Sequence, residues 1–579
     1  MLADLRARAP LYLDDWKAGL HWRVLASIFF MYFASIGPAV TFSSQLDRAT
    51  DGNVGASEVI LSTAISGVIF SIFGGQPLII VGVTGPVSIF TIAIYTLSNQ
   101  FGIPFLPWYA VIQLWTGLFH IILALLNTCD FLLTHVTRFT TDIFGFLISV
   151  IFIYEAVSSL NRNFQAVFSA AAGENSLGTA LLTLILAFGT FYVATTLAEA
   201  KHWKIFSMPI KNFLSDYAAV MSIVLFSGLS YLPVLDGLEI ARLAVPDTFE
   251  TSTGRPLFID LTTSIDLVHI FSAIIPAIFL TILLYFDHNV SSLLAQRSEY
   301  NLKKPSAYNW DFFVVGIIHI VTGIFAIPPI NGLIPQAPMH TQSLAKVERK
   351  GVHRSLHYSD VVEQRVSNLV QAGITAVTLT NALLFVLGTI PISVLDGLFL
   401  FIGFSSLQGN QIAERGMFVV TEYRNRVSVC PHVFATRVSF PEIFWFTLLQ
   451  AVLVFGIFGI TLSPAAISFP LFILVLIPLR FYLLPRFFKQ ESLELLDAEH
   501  ISAAPEDGSR DQVSSGGVPV LEDVPTLEMQ EVVSLEASGT PEHDSESKNA
   551  RDDVEVDSPG KSGAVYPEPD SEARIKKDL

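Results

Sequence analysis

Residues Gly74 to Phe90, Gly-Gly-Gln-Pro-Leu-Ile-Ile-Val-Gly-Val-Thr-Gly-Pro-Val-Ser-Ile-Phe, set glycine and proline repeatedly inside a hydrophobic run. A segment crossing lipid must satisfy its own backbone N–H and C=O groups. Broken backbone at that depth therefore survives only beside protein or a water-filled cavity. The spacing predicts an extended piece from Pro77 to Val83 and a half-helix from Gly85 to about Thr96. Thr84 is positioned to cap that half-helix through its hydroxyl. Pro86 falls in the first turn, where its missing N–H costs little. A half-helix starting in mid-membrane aims free N–H groups and the positive end of its dipole at whatever lies there. Interrupted segments of this kind mark the sites of secondary transporters.

Composition agrees with a membrane setting. Only 15% of the 579 residues are charged and 51% are hydrophobic, against about 25% charged in soluble domains. Many runs approach 20 apolar residues, which predicts an all-α polytopic membrane protein. The net charge of −17 says nothing about substrate, because from Gln490 onward 23 acidic residues face 7 basic ones. That tail, taken as 488–579, is rich in Ser, Pro and Gly and reads as a disordered acidic cytoplasmic tail, with phosphorylatable Ser545, Ser547 and Ser558 or a plain spacer role. Cys129 and Cys430 are far apart and read as free thiols. There is no phosphate-binding loop, zinc spacing or nucleophile elbow. Neither an enzyme, a cofactor, a metal nor a nucleic-acid partner is expected.

In order, residues 1–22 read as a short cytoplasmic lead with an interfacial helix near Tyr12 to Leu20, and no cleavable signal peptide is evident. The transmembrane domain is taken as 23–487. Spans are expected over about 23–43, 57–73, the broken third stretch, 108–127, 139–159, 177–197 and 212–231. A polar loop, 232–266, follows. The second half gives about 267–286, 312–327, a second broken stretch from Pro328 to His340 with a helix on to Val347, then 362–387, 392–406, 440–462 and 464–484, the last bent or re-entrant at Pro470 and Pro478. The total is 14. Each broken stretch is third in its set of seven, the pattern of a 7+7 inverted repeat around a central site. Basic residues favour loops that face inward if both termini are cytoplasmic: Lys201, Lys204 and Lys211, then Arg297, Lys303 and Lys304, then Lys346 to Arg354, then Arg415 to Arg437. The same topology leaves the glycosylation pattern at Asn289 inside and unused.

Asp287 is the leading site candidate. Either span 8 continues through it, placing a carboxylate at membrane depth, or the helix ends at Phe286 and Asp287 is interfacial. Ser291 shares its helical face. Gln336 and His340, four apart, share a face if the second half-helix starts near Pro335. Each also has a bland reading: a capping or packing amide, and a satisfied buried histidine. Thr84 can be a structural cap, a substrate contact, or both. Asp142, Glu155, Asp216 and Glu442 read as interfacial, and Gln45 and Asn53 as outer-loop residues.

Gly75-Gln76-Pro77-Leu78 with Val81-Gly82-Val83-Thr84-Gly85-Pro86 resembles the third-span signature of bicarbonate/anion exchangers and their boron-transporter relatives. Phe33-Ala34-Ser35 with Pro38 to Phe42 resembles span 1, and Asp14-Trp16-Lys17-Gly19 the lead-in. The likeness runs from about residue 12 to 485. The short N-terminus is more similar to the fungal and plant borate transporters. The resemblance implies a core domain (spans 1–4 and 8–11), a gate domain (spans 5–7 and 12–14), a homodimer through the gates, and substrate between half-helices 3 and 10. It implies substrate-binding roles for Thr84, Gly85, Pro86, Asp287, Ser291, Gln336, Ala337 and His340. Gln336 falls where the chloride/bicarbonate exchangers carry an arginine. Without that cation, the pocket suits hydroxyl-rich borate or boric acid better than chloride. The expected function is plasma-membrane borate export by alternating access, with a bicarbonate or chloride exchanger as alternative and a tail-dependent membrane scaffold as a third class. Proton coupling is an open possibility.

Overall fold

The computed structural model describes residues 1–497, apart from 169–175, 247, 262–264, 335, 351–354, 427–429, 431–432 and 464. The chain opens with α1 (Leu2–Arg8) and α2 (Tyr12–Ala18), then α3 (Trp22–Ala49) and α4 (Ala56–Phe73). Strand β1 (Val81–Gly82) leads into α5 (Gly85–Phe101). There follow α6 (Phe105–Leu125), α7 (Thr128–His135), α8 (Arg138–Val167), α9 (Ser176–Ala198), α10 (Met208–Asp216) and α11 (Ala218–Leu229). After the loop that follows α11 come α12 (Leu267–Ser272), α13 (Ile274–Ala295) and α14 (Tyr308–Phe325). Strand β2 (Asn331–Gly332) precedes α15 (Gln336–Leu344), and β3 (Lys346–Lys350) pairs with β4 (Ser355–Ser359). The chain closes with α16 (Val366–Val377), α17 (Asn381–Gly388), α18 (Ile392–Leu407), α19 (Gln411–Val420), α20 (Val433–Arg437), α21 (Phe440–Thr461), α22 (Phe469–Pro478) and α23 (Gln490–Leu496).

Among the described residues, nine helices are long and apolar enough to cross a bilayer. Three further segments are pairs bent sharply at a short break: α10–α11 by 67°, α16–α17 by 79° and α18–α19 by 78°. These fall on the expected spans 7, 11 and 12, while α5 and α15 fall on spans 3 and 10. Spans 7 and 11, expected as single runs, are bent at Tyr217 and at Thr378 to Thr380. The expected span 12 is α18 itself, and beyond the break at Gln408 to Asn410, where Gly409 takes φ +76°, α19 occupies residues read as a loop. The last segment bends as its prolines suggest: α22 ends at Pro478 and passes into a π-helical turn over Leu479–Leu483.

The helices pack in two sets. In the first, α4 and α16 lie against α3, α14 against α6, and α13 against both α6 and α15. In the second, α18 lies between α8 and α9, α9 against α11, and α21 against α8. The sets meet where α3 touches α18, α5 touches α8, and α13 touches α22. Small residues permit the closest approach. A Cβ on Gly117 would stand 2.7 Å from the Gly316 carbonyl, so α6 and α14 touch nearly backbone to backbone.

Four local expectations change. The lead is packed into the protein rather than lying at an interface. Asp4 caps α14, accepting from Asn309 N at 3.0 Å and Trp310 N at 3.2 Å. Asp15 is fully buried, receiving Arg365 Nε at 3.0 Å and Lys304 Nζ at 2.6 Å. Arg365 in turn donates to the Ser71 carbonyl at 3.1 Å and the Gly74 carbonyl at 2.5 Å, satisfying orphan acceptors at the end of α4. Second, the tail does not begin at 488. Helix α23 buries Leu493 and Leu496, and the Asp497 carboxylate accepts from Phe139 N at 2.5 Å and Arg480 Nε at 2.8 Å. Residues 498–579, with Ser545, Ser547 and Ser558, lie outside the described residues. Third, the helix expected to reach Val347 stops at Leu344 and gives way to the β3–β4 hairpin. Fourth, Gln45 is buried inside α3 instead of in an outer loop, because that helix runs on to Ala49. Both cysteines are buried thiols rather than halves of a disulfide.

Candidate functional site

The two broken stretches meet. Val81 pairs with Gly332 and Gly82 with Asn331 in an antiparallel two-residue ladder, extended by Leu333 N donating to the Ile80 carbonyl at 2.8 Å. Each stretch thus satisfies backbone groups that neither could satisfy alone. From this ladder α5 and α15 depart. Thr84 sits at the N-cap of α5 with extended backbone, its Oγ1 accepting from Val87 N at 3.5 Å. Pro86 contributes no N–H, which leaves the Gly85 N–H at the tip. The helix ends at Gly102, where φ is +66° and the N–H returns to the Asn99 and Ser98 carbonyls.

Helix α13 closes the site. It runs unbroken from Ile274 through Asp287 and Ser291 to Ala295, so Asp287 stands within a helix and is 1% exposed. Its Oδ2 accepts from Thr84 Oγ1 at 3.4 Å and from Asn331 Nδ2 at 3.1 Å. Asn331 also donates to the Leu284 carbonyl at 3.2 Å and receives Gly332 N at 2.9 Å. One amide therefore ties β2, α13 and the carboxylate together. A Cβ on Gly332 would stand 2.8 Å from Ser291 Cβ and Oγ, so only glycine lets the ladder approach α13 this closely. The Asn289 of the glycosylation pattern is buried on this same helix.

The predicted residues divide by what they have left to offer. Ser291 Oγ and Gln336 Oε1 are buried with no partner among the described residues. Gln336 Nε2 donates to the Ala34 carbonyl at 3.1 Å, which fixes the orientation of the amide. Ala337 N already donates to the Leu333 carbonyl at 2.9 Å. It is not a free anion donor, because α15 begins with a turn that consumes it. His340 has both ring nitrogens engaged: Nδ1 donates to the Leu78 carbonyl at 2.8 Å and Nε2 accepts from Ser367 Oγ at 2.6 Å. The bland reading of His340 describes it, and its ring fastens the extended piece before β1. Pro335 lies outside the described residues.

Sequence reasoning missed the wall on the far side. A Cβ on Gly85 would stand 2.5 Å from Phe152 Cε1 and 3.5 Å from Phe42 Cε1. Phe42 of α3, Phe152 of α8 and Phe399 of α18 form a triangle with ring centroids 5.6, 5.8 and 5.8 Å apart. About two helical turns along α3 and α8, and one along α18, Arg48 Nη1 donates to Ser159 Oγ at 3.0 Å and Ser159 Oγ donates to Asp396 Oδ2 at 2.8 Å. Arg48 Nη2 stands 3.9 Å from Asp396 Oδ1. Asp396 carried the same signal as Asp287, a carboxylate inside an apolar run. Asn331 carried a weaker one, a polar residue in a broken stretch. Among the four residues read as interfacial, Asp142 is buried 3.5 Å from Arg138 and Asp216 pairs with Lys201 at 2.8 Å.

The sequence matches the profile of the HCO3⁻ transporter integral membrane domain over residues 1–175 and 166–501. It is 36% identical over 499 residues to boron transporter 1 of Saccharomyces cerevisiae, covering 85% of this chain and 84% of that protein. It is 32% identical over 617 residues to boron transporter 4 of Arabidopsis thaliana, covering 87% of each. The fold is similar to that of murine solute carrier 26 family member A9, an anion transporter solved in its inward-facing state. The TM-score is 0.52 at 12% identity, over 80% of this chain and 68% of the other.

Proposed function

The chain belongs to the bicarbonate-transporter family, and we propose that within it this protein exports borate or boric acid across the plasma membrane by alternating access. It is a multi-pass secondary transporter and not an enzyme. The observation that carries the substrate reading is Gln336, an amide that offers an unpartnered oxygen where an arginine is expected in chloride/bicarbonate exchangers. With no cation there, a bare anion would rest on half-helix dipoles worth about 0.3–1 kcal/mol each. Boric acid presents hydroxyl donors and oxygen acceptors together. Its hydroxyls match the acceptors Gln336 Oε1 and Asp287, and its oxygens match Ser291 Oγ and the Gly85 N–H.

In this reading the first helix set (α3 to α6 with α13 to α17) is a core that carries substrate past a gate (α8 to α11 with α18 to α22). Fourteen segments form the inverted repeat, both termini are cytoplasmic, and two copies associate through their gates. The Phe42–Phe152–Phe399 triangle and the Arg48–Ser159–Asp396 layer lie on the outer side of the half-helices and hold that side shut.

The test is boron efflux in boron-sensitive cells, comparing the parent with Asp287→Ala at equal surface expression. Loss of efflux is expected; equal boron accumulation would sink the assignment. Tracer chloride flux in liposomes separates the alternative: a chloride exchanger would move chloride without boric acid.

A further inference from the structure

Three histidines stand behind the site. His120 is on α6, His319 on α14, and His288 on α13 directly after Asp287. Each is 1% exposed or less. The His120 and His319 ring centroids are 4.9 Å apart. His120 stacks on Phe312 at 4.3 Å, and His288 lies 6.2 Å from that same ring. All three are within electrostatic reach of one another.

Their hydrogen bonding is incomplete. His120 Nδ1 donates to the Thr116 carbonyl at 2.8 Å. The other five ring nitrogens have no partner among the described residues. Leaving one buried polar group unpaired costs about 1–3 kcal/mol. Buried groups left over by the protein are ordinarily met by ordered water. His340, equally deep, shows the contrast, with both of its ring nitrogens taken by protein. Five leftover nitrogens in one cluster are a poor way to pack a core and a good way to hold water and protons.

The cluster also reaches the site. The Cβ position of Gly332 lies 3.3 Å from His288 Nδ1 and 2.8 Å from Ser291 Oγ, so His288 and Ser291 border the same ladder residue. Other titratable groups packed around it are Asp287 and Tyr285 on α13, Asp311 on α14 and Cys129 on α7. Helix α4 contributes the Phe70 ring, 6.0 Å from His288.

We propose that His120, His288 and His319 form a buried, hydrated proton relay serving Asp287 during transport, an assignment that rests on the transporter reading of the site. The step is a proton transfer. A protonated Asp287 gives its proton through water to an imidazole nitrogen, leaving carboxylate and imidazolium, and the reverse transfer resets the pair.

The test uses the full chain in liposomes. Hydrogen–deuterium exchange at the imidazole C2–H, read by mass spectrometry for each histidine from pH 5 to 9, reports water contact and protonation without any substrate. His120, His288 and His319 should exchange at least tenfold faster than His340. In parallel, a trapped pH dye and a boric acid gradient give protons moved per boron. The H120Q/H319Q double variant should lose at least tenfold of that proton movement while boron exchange at equal pH stays within twofold. Exchange at all three rings as slow as at His340, or an unchanged proton ratio in the variant, overturns the relay. If the wild-type chain moves no boron, fast exchange keeps the relay and removes the substrate reading, and slow exchange overturns both.

Discussion

The Arg48–Ser159–Asp396 layer, outer in the orientation proposed above, makes a quantitative prediction about which side of the protein stays closed. Asp396 is 1% exposed and accepts from Ser159 at 2.8 Å, and Ser159 also receives Arg48 at 3.0 Å. Ser159 of α8 and Asp396 of α18 lie in one helix set and Arg48 of α3 in the other, so it is the contacts of Arg48 that exist only while the two sets are closed there. A hydrogen bond to a charged group is worth about 1.5–3 kcal/mol net. The Arg48–Asp396 ion pair adds little, since Arg48 is 30% exposed and the contact is 3.9 Å long. Arg48→Gln removes the charged donor that reaches Ser159 across the two sets, and its partial exposure discounts the bond. The closed state should lose about 1–2 kcal/mol, which raises the open-to-closed ratio by roughly 5–30-fold.

The assay is labelling from outside by a membrane-impermeant maleimide, with Thr84→Cys as the reporter beneath the aromatic triangle. Cys129 and Cys430 are buried, and the parent without the reporter supplies the blank. R48Q should speed labelling by roughly the same 5–30-fold. D396N, which weakens only the 3.9 Å pair with Arg48, should act in the same direction by less, and the double variant should go no further than R48Q, because both break one layer. Labelling that is unchanged or slower in R48Q, with normal folding by gel filtration, would refute the latch.

Three other outcomes follow from particular contacts. Gly332→Ala would put a methyl 2.8 Å from Ser291 Cβ, and overpacking of this kind costs about 1–3 kcal/mol. Boron efflux should fall about tenfold at equal surface expression, and undiminished efflux contradicts the close approach. Asp15→Asn leaves buried Arg365 without its carboxylate, while half-buried Lys304 keeps Asp14, a loss of about 3–5 kcal/mol. The purified protein should melt several degrees lower, and an equal Tm speaks against the docked lead. Asp14 is held below the usual carboxylate range by its hydrogen bond to Lys304, and Asp360 by its hydrogen bond to Lys303. Their folded values lie below the unfolded ones, so their contribution is present above about pH 4 and lost as the pH falls through the folded values. Between pH 7 and 5 the pairs should leave the Tm unmoved, and below pH 4 the D14N/D360N variant should lose less stability than the parent. Equal losses on acidification would show that the pairs do not matter.

The first half-helix was legible because its signals are local. Thr84, Gly85 and Pro86 are adjacent, and a cap followed by a proline in the first turn needs no distant partner. Asp287 was legible as a charge in an apolar run, but whether α13 continued through it was not, since Phe286 could end a helix of ordinary length. What decides the matter is Asn331, 44 residues away, whose amide bonds both the carboxylate and the Leu284 carbonyl. The lead was misread for the same reason. Asp15 looks like the polar face of an interfacial helix until Arg365 arrives from 350 residues along the chain. The bend in span 7 at Tyr217 left little pattern, because apolar residues resume at once on its far side, whereas Gln408-Gly409-Asn410 after span 12 is a turn signal that ended the expected span there. Asp396 is different, because its signal equals that of Asp287 and only its distance from the broken stretches hid it. A carboxylate at membrane depth therefore marks either of two places in this chain. One is the site proposed above, where Asp287 meets two neutral donors. The other is the seam between the helix sets, where Asp396 meets Arg48 through Ser159 and has its charge answered within the protein. In the proposed reading the partner, not the depth, distinguishes a site from a latch.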